Sequence, residues 1–336
     1  VYRRNKILGN GRINKKNMNK ITKEKKEIIK SPTLLQMTIS LIFSLVIKSQ
    51  PITLPKKIGR YKLFHEVKKD TPIKNYAIGI YRLGKSKVFI KTWKGNLKNI
   101  NYYLLVNEYL INKILYEKLT NNRKRNEKYT FRIPQVIDII KSKNSLSIVF
   151  EYINGKTLTC FPLKDQAKIL SKIFEKLENL SISLSEEEKK SFPKRTFLFY
   201  LISLPFLTFT NMLLNPRDSK VIFKAFFKFL TVLLNVNRTK LTLAHRDLKP
   251  HNVIINGTAV FIIDSGRMVL TISGYDITYL SIEDNLQSVV EITSKRLGTN
   301  INKFLEYYIL IQHCKWYEMP GKYVNMYMKN LYLKFG

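Results

Sequence analysis

A short polar window late in the chain constrains the fold more than any other stretch. It reads LAHRDLKPHNVII, residues 243–255, and it places His, Arg, Asp, Lys and Asn between two apolar runs. Another apolar run, TAVFII, ends directly before Asp264, twelve residues after Asn252. A buried core has no use for such polar groups unless each is paired, so the window predicts a functional loop between two strands.

The segment from residue 58 predicts a small sheet with one helix. GRYKLFHEV, NYAIGIYR and KVFIKTW have the composition of strands, and the turn LGKS joins the last two as a hairpin. NINYYLLVNEYLINKILYEKL has the apolar spacing of an amphipathic helix. FRIPQVIDII and LSIVFEYI then predict two more strands around the turn KSKN. Strands, one helix and two further strands are the order of a small nucleotide-holding lobe.

Five motifs in this order resemble the protein-kinase-like phosphotransferases: VFIK, NEYL, VFEYINGKTL, HRDLKPHN and IIDSG. The layout is most similar to the branch that holds aminoglycoside phosphotransferases, choline kinase and lipopolysaccharide kinase. The resemblance covers nearly the whole chain from residue 58 onward. It implies an α+β fold of two lobes, with an antiparallel sheet and one helix in the N-terminal lobe and a mainly helical C-terminal lobe.

The resemblance also implies magnesium-dependent transfer of the γ-phosphoryl group of ATP. Lys91 would contact the α and β phosphates, and Glu108, seventeen residues later, would pair with Lys91 and hold it in place. Asp247 would accept or orient the proton of the acceptor hydroxyl. Asn252 and Asp264 would be ligands of Mg²⁺, a hard cation that prefers oxygen atoms.

The remaining parts of the predicted site rest on weaker patterns. Lys249 resembles the lysine that protein kinases aim at the transferring phosphate, and a plain surface lysine is the alternative. Backbone groups near Glu151 and Ile153, within the hinge-like VFEYINGKTL, would read the edge of the adenine. No GxGxxG occurs in the chain, so the phosphate-covering loop is predicted in VKKDTPIKN between the first two strands.

Two signals disagree about the branch of this fold. HRDLKP, which includes Arg246, is the form of the loop that protein kinases carry. In contrast, Ser265 stands where the DFG motif of protein kinases has Phe, and no APE-like triplet follows. YDITYL begins nine residues after Gly266 and resembles a helix start of small-molecule kinases. Asp276 is predicted to cap that helix.

We weigh the missing substrate-docking segment above the spelling of the loop. The expected activity is therefore phosphorylation of a hydroxyl on a small molecule, a sugar or a glycolipid. A Ser/Thr protein kinase is the main alternative. A nucleotide-binding pseudokinase or basic scaffold is the second, and the intact set of five motif residues argues against it.

The charge balance bounds the partners of the chain. The 59 Lys and Arg residues against 24 Asp and Glu residues give a net charge of +35, which suits phosphate-rich ligands, nucleic acid or anionic membranes. Coding bias toward Lys, Asn and Ile explains part of this excess, so we expect no specific nucleic-acid partner and only salt-sensitive association. Cys160 and Cys314 lie outside any CxxC, which argues against a disulfide framework and predicts a reducing, cytoplasmic location.

Composition divides the chain into four segments. Residues 1–30 carry eleven basic and two acidic residues and predict a disordered tail. Residues 31–57 predict an apolar helix and a linker. The 17 positions 31–47 carry no charge, a length at the lower edge for spanning a bilayer. Residues 58–155 are predicted as the nucleotide-binding lobe with the hinge, and residues 156–336 as the catalytic and substrate lobe.

Residues 196–234 are unusually apolar for an enzyme surface. TFLFYLISLPFLTFTNMLL carries no charge, and KVIFKAFFKFLTVLL has lysines at positions 220, 224 and 228 beside a broad apolar face. One interpretation is a pair of buried central helices in the larger lobe. The other is peripheral contact with a membrane, or a pocket for a lipid-linked substrate, which would make the cytoplasmic protein membrane-associated.

Overall fold

The computed structural model describes most of the chain from residue 52 onward. The described residues are Gln36, 52–67, 76–121, 128–214, 216–232, 241–282, 286–297, 301–314, 327–331, 333 and 334. The predicted tail, the predicted apolar helix apart from Gln36, and all of VKKDTPIKN except Val67 lie outside the described residues.

Short strands and longer helices make up two unequal lobes. In chain order, the strands are β1 (Lys57–Ile58), β2 (Tyr61–Glu66), β3 (Tyr76–Leu83), β4 (Ser86–Lys94), β5 (Thr130–Arg132), β6 (Val136–Ser142), β7 (Ser145–Glu151), β8 (Lys156–Thr157), β9 (Lys194–Arg195), β10 (Leu241–Ala244), β11 (Val253–Asn256), β12 (Ala259–Ile262) and β13 (Val269–Ile272). The helices are α1 (Ile100–Asn121), α2 (Leu163–Ser183), α3 (Glu186–Lys190), α4 (Phe197–Leu214), α5 (Ser219–Val232), α6 (Tyr275–Leu280), α7 (Gln287–Leu297) and α8 (Lys303–Cys314).

The smaller lobe is an antiparallel sheet covered on one face by α1. Its strand order is β1-β2-β3-β4-β7-β6, which confirms the predicted hairpin of NYAIGIYR and KVFIKTW. Gly84 has φ +61° in the hairpin turn, a conformation that glycine adopts without steric cost. Trp93 and Ile148 of the sheet pack against Leu105 and Val106 of α1, and this apolar layer fixes the helix over the strand that carries Lys91.

The prediction that FRIPQVIDII is one strand of the small lobe was wrong. Pro134 divides the segment, and only its second half, β6, pairs with β7. The first half, β5, pairs in parallel with β12 of the larger lobe. The chain therefore enters the larger lobe after α1, returns at Pro134, and crosses again between β7 and β8, which pairs with β11.

The larger lobe holds the polar window between two small sheets. β10 pairs with β13, and β13 pairs in parallel with β9, while β11 and β12 form a hairpin. Helices α2 and α7 cover these strands through an apolar core that includes Leu170, Ile173, Leu243 and Val290. Residues 245–252 connect β10 to β11, so both ends of the window are anchored in this core.

Helices α4 and α5 are not the buried central helices of the first interpretation. One face of the pair packs against α8 through residues such as Tyr200, Leu204 and Ile222. The opposite face is exposed and apolar. No single described helix is long and apolar enough to cross a bilayer; the pair Phe197–Leu213 and Pro216–Phe227 passes that test together, but the chain bends by 113° between them.

Candidate active site

Three motif residues that lie far apart in the sequence meet at one ammonium group. Lys91 of β4 points its Nζ at both carboxylate oxygens of Glu108 on α1, at 2.7 and 2.8 Å. The same Nζ lies 2.8 Å from Oδ1 of Asp264, which follows β12 after one residue. The side chains of Lys91 and Glu108 are 6% exposed, whereas that of Asp264 is 46% exposed, so one carboxylate is sealed and the other faces the cleft.

The protonation state of Lys91 follows from this geometry. Burial alone would lower the pKa of its ammonium, because a charge is poorly solvated away from water. The carboxylates of Asp264 and Glu108 outweigh burial and hold the pKa of Lys91 well above its ordinary value. Lys91 is therefore a permanent cation at neutral pH, as a contact for phosphate oxygens requires.

Tyr76 is a neighbour of this cluster that the motifs did not indicate. Burial raises the pKa of its phenol above the ordinary range; Lys91 opposes this shift, while Glu108 and Asp264 add to it. The pairing of β3 with β4 could have indicated that Tyr76 lies near Lys91. Ile78 stands opposite Lys91, and alternation along β3 places Tyr76 on the same face as Ile78.

Helix α1 also fixes the loop that carries Asp264. Nδ2 of Asn107 donates to the carbonyl oxygens of Gly266 and Met268, at 2.8 and 3.3 Å. The hydroxyl of Ser265 donates to Oδ1 of Asn112. Both asparagines are almost fully buried, so one helix positions Glu108 and the Asp264 loop together.

Gly266 allows this close approach, since a Cβ there would lie 2.8 Å from the carbonyl oxygen of Leu104. Asp264 itself has φ +61°, a left-handed conformation that few residues adopt without local support. The small Gly266 and the two asparagines of α1 supply that support. The sequence separation of more than 150 residues between loop and helix hides this arrangement from motif reasoning.

The polar window places Asn252 between Asp247 and the segment that leads into Asp264. Its Nδ2 donates to the carbonyl oxygen of Asp247 at 2.7 Å, and its own carbonyl oxygen accepts from the N–H of Ile263 at 3.0 Å. Asn252 thus joins the loop to the residue before Asp264. The amide oxygen of its side chain is the group left to ligate a cation.

Asp247 is held by residues of α6 and of its own loop. The hydroxyl of Tyr279 donates to Oδ1 of Asp247 at 3.2 Å, and Nζ of Lys249 lies 4.0 Å from the same oxygen. That Nζ also lies 5.1 Å from the centre of the Tyr279 ring. Tyr279 was missed, although its three-residue spacing from Asp276 in YDITYL places both side chains on one face of a helix.

Asp276 is not the cap of α6, and that prediction was wrong. Gly274 occupies the cap position, and Asp276 lies within the first turn. Its carboxylate accepts the backbone N–H groups of His245 and Arg246, each at 2.7 Å. Asp276 therefore fixes the backbone of the loop directly before Asp247, where Arg246 has the uncommon φ of +67°.

The two residues predicted to contact adenine, Glu151 and Ile153, differ in the backbone groups that they can offer. Glu151 ends β7, its N–H donates to the carbonyl oxygen of Gln135 at 3.0 Å, and its carboxylate accepts from the N–H of Gln135 at 2.8 Å. Glu151 can therefore offer a nucleotide its carbonyl oxygen but not its amide. Ile153 follows the strand and is the better candidate for an amide donor.

The donor chemistry fits a magnesium ion that is shared with phosphates. Among the described residues, no three His, Cys, Asp or Glu side chains converge on a metal-sized site. Asp264 and Asn252 instead supply one carboxylate and one amide oxygen at the open side of the cluster. Mg²⁺ is commonly bound by one or two protein oxygens together with the phosphates of its substrate.

Comparisons with known proteins identify the fold. No known family model matches the sequence. No curated protein matches it either. Solved structures do match. Spectinomycin phosphotransferase in complex with ADP and spectinomycin has a TM-score of 0.55 at 14% identity, over 81% of this chain and 93% of that one.

Two further structures agree with this match. A thermostable mutant of an aminoglycoside phosphotransferase, in a ternary complex with ADP and hygromycin B, has a TM-score of 0.60 at 10% identity, over 80% of this chain and 92% of that one. A microcompartment-associated aminopropanol kinase has a TM-score of 0.55 at 11% identity, over 81% and 89% of the two chains. At these identities the comparisons establish the fold, and it is the two-lobed, protein-kinase-like α+β fold.

Proposed function

We propose that the protein is a phosphotransferase that moves the γ-phosphoryl group of ATP, with Mg²⁺, to a hydroxyl group of a small acceptor. The observation that carries this proposal is the contact of Lys91 with both Glu108 and Asp264. Two secondary-structure elements and a loop, from both lobes, converge there on one buried cation. Structural neighbours of the same fold were solved with ADP, which supports a nucleotide in the cleft.

The residues of the cleft divide the work of the reaction. Lys91 binds phosphate oxygens of the nucleotide, and Asp264 with Asn252 holds the metal. When bound, Mg²⁺ neutralises charge on the transferring phosphate. Asp247 orients the acceptor hydroxyl and takes its proton, while the hydroxyl of Tyr279 holds one carboxylate oxygen in place.

A small acceptor fits the chain better than a protein acceptor. Only the short helix at Ser265–Arg267, the strand β13 and a turn lie between Asp264 and α6. This path leaves no long segment on which an extended peptide could dock. The sequence HRDLKP favoured a protein kinase, but its Arg246 is compatible with a small acceptor as well.

The proposed reaction is tested by replacing the base. Asp247→Asn keeps the size and the hydrogen bond with Tyr279 but cannot accept a proton. Loss of general-base assistance lowers turnover roughly a hundredfold to ten-thousandfold. The measurement is transfer of labelled γ-phosphate from ATP in the presence of Mg²⁺ and a panel of hydroxyl compounds.

Asp138→Asn in the small lobe is the matched control, because Asp138 contacts Arg60 and Tyr61 away from the cleft. This variant should turn over at the wild-type rate. Equal rates for the wild type and Asp247→Asn would reject the assignment of the base. Absence of Mg²⁺-dependent ATP binding by the wild type would reject the phosphotransferase.

We also propose that the exposed side of α4 and α5 rests on an anionic membrane surface. An apolar stripe runs along it at three- and four-residue spacing, as expected for one side of a helix. Its exposed members are Leu198, Leu201, Ile202, Phe206, Phe209, Leu213, Phe223, Phe227 and Leu230. Apolar patches of this extent are rare on soluble monomers and mark interaction sites.

Charge favours lipid as the occupant of this surface. Arg217, in the bend between the helices, and Lys220 and Lys224 of α5 are exposed beside the apolar stripe. Basic residues around an apolar face are the pattern of helices that lie in the headgroup region of anionic bilayers. The sequence also predicts Lys228 on this side of α5, but its side chain is not among those that the structure describes. A cytoplasmic protein with such a face would reach lipid-linked acceptors at the membrane.

Vesicle co-sedimentation tests the membrane proposal. The wild type should bind vesicles of phosphatidylserine and phosphatidylcholine more tightly than pure phosphatidylcholine. Lys220→Glu with Lys224→Glu should weaken binding at least about tenfold, since each basic residue near such a surface contributes about 1 kcal/mol. Lys141→Glu with Lys143→Glu, an exposed pair on the small lobe, should bind as the wild type does.

Two outcomes would overturn the membrane proposal. One is equal loss of vesicle binding in both lysine pairs, which would indicate attraction by net charge alone. The other is a stable dimer in sedimentation experiments without lipid, together with no vesicle binding, which would assign the apolar stripe to a second copy of the chain.

A further inference from the structure

Two arginines at the end of the catalytic loop away from Lys91 lie near enough for the charge of Arg246 to act on Arg195. Arg246 directly precedes Asp247. Arg195 belongs to β9, which pairs with β13, and β13 in turn pairs with β10, the strand that leads into the loop. The sheet therefore brings a residue from before α4 next to the loop, although about fifty positions separate the two arginines.

The two guanidinium groups share one aromatic environment. The centre of the Arg246 guanidinium lies 5.6 Å from the ring centre of Tyr275. Arg195 lies 5.0 Å from the ring of Phe199 and donates from Nη1 to the hydroxyl of Tyr308 at 3.4 Å. Tyr200 of α4 also lies close to both charges. Rings, and not carboxylates, form most of the wall around them.

Neither positive charge is paired in an ion pair within the part of the chain that the structure describes. Neither Arg195 nor Arg246 forms an ion pair with a described carboxylate. Nε of Arg246 is buried and has no hydrogen-bond partner, and the side chain that the guanidinium meets is Tyr275. Asp276 lies near enough to attract Arg246, but its two oxygens accept backbone N–H groups and make no ion pair with the guanidinium.

The two arginines differ in their electrostatics: burial lowers the pKa of Arg246, but the neighbouring Tyr275 and Tyr200 outweigh burial and raise it. Burial lowers the pKa of Arg195, and the charge of Arg246 lowers it further. Arg267, Arg246 and Lys249 all lie close enough to His313 to lower its pKa as well. The side of the loop that faces away from Lys91 is therefore rich in cations, and Asp247 lies at its border.

We infer that Arg195 and Arg246 form an acceptor subsite that binds a phosphate or carboxylate group of the molecule whose hydroxyl meets Asp247. This inference rests on the proposed phosphotransferase activity and names the class of its acceptor, an anionic hydroxyl compound. Guanidinium groups present paired N–H donors that match the oxygens of both anions. Bound there, the anion would give the two guanidinium groups the ion pair that no described carboxylate makes with them.

A binding titration separates the subsite from the nucleotide site. The protein is first saturated with ADP and Mg²⁺, so that the contacts of Lys91 are filled. Glycerol 3-phosphate, glycerol and ethanolamine are then titrated by calorimetry at constant ionic strength. We expect binding of glycerol 3-phosphate and no comparable binding of the neutral or the cationic compound.

Variants assign the binding to the two arginines. Arg195→Gln and Arg246→Gln should each weaken glycerol 3-phosphate binding roughly tenfold to a hundredfold, the usual effect of losing a charge-assisted hydrogen bond. Arg195→Lys should lie between Arg195→Gln and the wild type, because the charge stays and the paired donors are lost. Arg60→Gln, an exposed arginine of the small lobe, should bind as the wild type does. Thermal unfolding of each variant verifies that it is folded.

The results distinguish failure of the subsite from failure of the proposed function. Equal binding of ethanolamine, or an equal loss in Arg60→Gln, would overturn the anionic subsite while leaving the kinase proposal intact. Absence of ADP binding would reject the kinase and with it the role of an acceptor, whereas anion binding that depends on Arg195 and Arg246 would still assign an anion site to the two residues. No binding of glycerol 3-phosphate by folded wild-type protein would overturn the subsite.

Discussion

Two buried charge clusters flank Asp247, and they are balanced in opposite ways. On the nucleotide side, one cation, Lys91, contacts two carboxylates. On the acceptor side, Arg195 and Arg246 lie together without an ion pair to any described carboxylate. The first cluster has one cation and two carboxylates, so it carries one excess negative charge, which suits Mg²⁺. The second has no ion pair within the described residues, and this is the reason that we propose an anionic acceptor for it.

Under the proposed roles, the difference separates residues that serve both folding and function from residues that serve function alone. Removing one partner of a buried ion pair leaves a charge stranded away from water, which is strongly destabilising. Removing one of two like charges relieves repulsion. The same substitution should therefore have very different effects on stability in the two clusters.

The largest loss of stability is expected for Lys91→Met. It leaves Glu108 buried without its cation, so the free energy of unfolding should fall by about 3–5 kcal/mol. Urea unfolding followed by circular dichroism measures this. Lys91→Met with Glu108→Leu removes both charges and should regain most of the loss, since an apolar pair of similar volume is tolerated. A double variant as unstable as the single one would contradict this account.

Acid should destabilise the acceptor side through His313. Burial holds the pKa of His313 at about 4 in the folded protein, against an ordinary value of 6.5, and nearby cations add to this. The unfolded chain therefore takes up a proton first, and stability is lost as the pH falls from 6.5 toward 4, by about 3 kcal/mol in total.

Unfolding free energies at pH 7 and pH 5 measure this effect of pH. The wild type should lose more stability over that interval than His313→Gln does, and His65→Gln on the exposed surface of β2 serves as the matched control. An identical pH dependence in the wild type and His313→Gln would remove His313 from the explanation.

Gly266→Ala tests how tightly α1 holds the nucleotide side. The added Cβ would meet the carbonyl oxygen of Leu104 at 2.8 Å, and overpacking of this kind costs about 1–3 kcal/mol. Because the loop must shift, Asp264 should also leave Lys91 and phosphate transfer should fall. Gly257→Ala, where nothing lies within 4 Å of the added Cβ, should lose a little stability through its φ of +59° but keep its activity.

The smallest effect is expected for Arg195→Met. Methionine keeps the apolar stem of the side chain, and relief of repulsion from Arg246 offsets the lost polar contacts. The free energy of unfolding should change by less than about 1 kcal/mol, far below the change for Lys91→Met. A loss as large as that of Lys91→Met would mean that the chain does neutralise Arg195, and the comparison between the two clusters would fail.

The sequence predicted the nucleotide side better than the acceptor side for physical reasons. Lys91 and Glu108 lie in a long strand and a long helix, whose periodicity is visible in the residues themselves. Asp247 and Asn252 are only five residues apart, so the loop carries its own pattern. Arg195, by contrast, belongs to a strand of two residues that exists only because β13 lies beside it, and no local pattern predicts such a strand.

The same limit explains the other differences. FRI is as apolar as a strand of the small lobe, and only tertiary pairing assigns β5 to β12. The apolar composition of α4 is equally compatible with burial in protein and with contact to lipid, so exposure had to be seen in the structure. Asp276 has the spacing of a cap, yet the loop before Asp247 offers its carboxylate two better-placed N–H groups.

The two passages of the chain between the lobes have a mechanical consequence. A single covalent tether would let the lobes swing and twist freely, but here the segment after β5 and the segment after β7 run side by side, joined by the bonds between Gln135 and Glu151. Such a double strap resists twisting between the lobes, and the bonds from Asn107 of α1 to the loop after Asp264 join the lobes a second time. A nucleotide bound to the strap, as we propose, would therefore meet Lys91 and Asp247 at separations that these connections set.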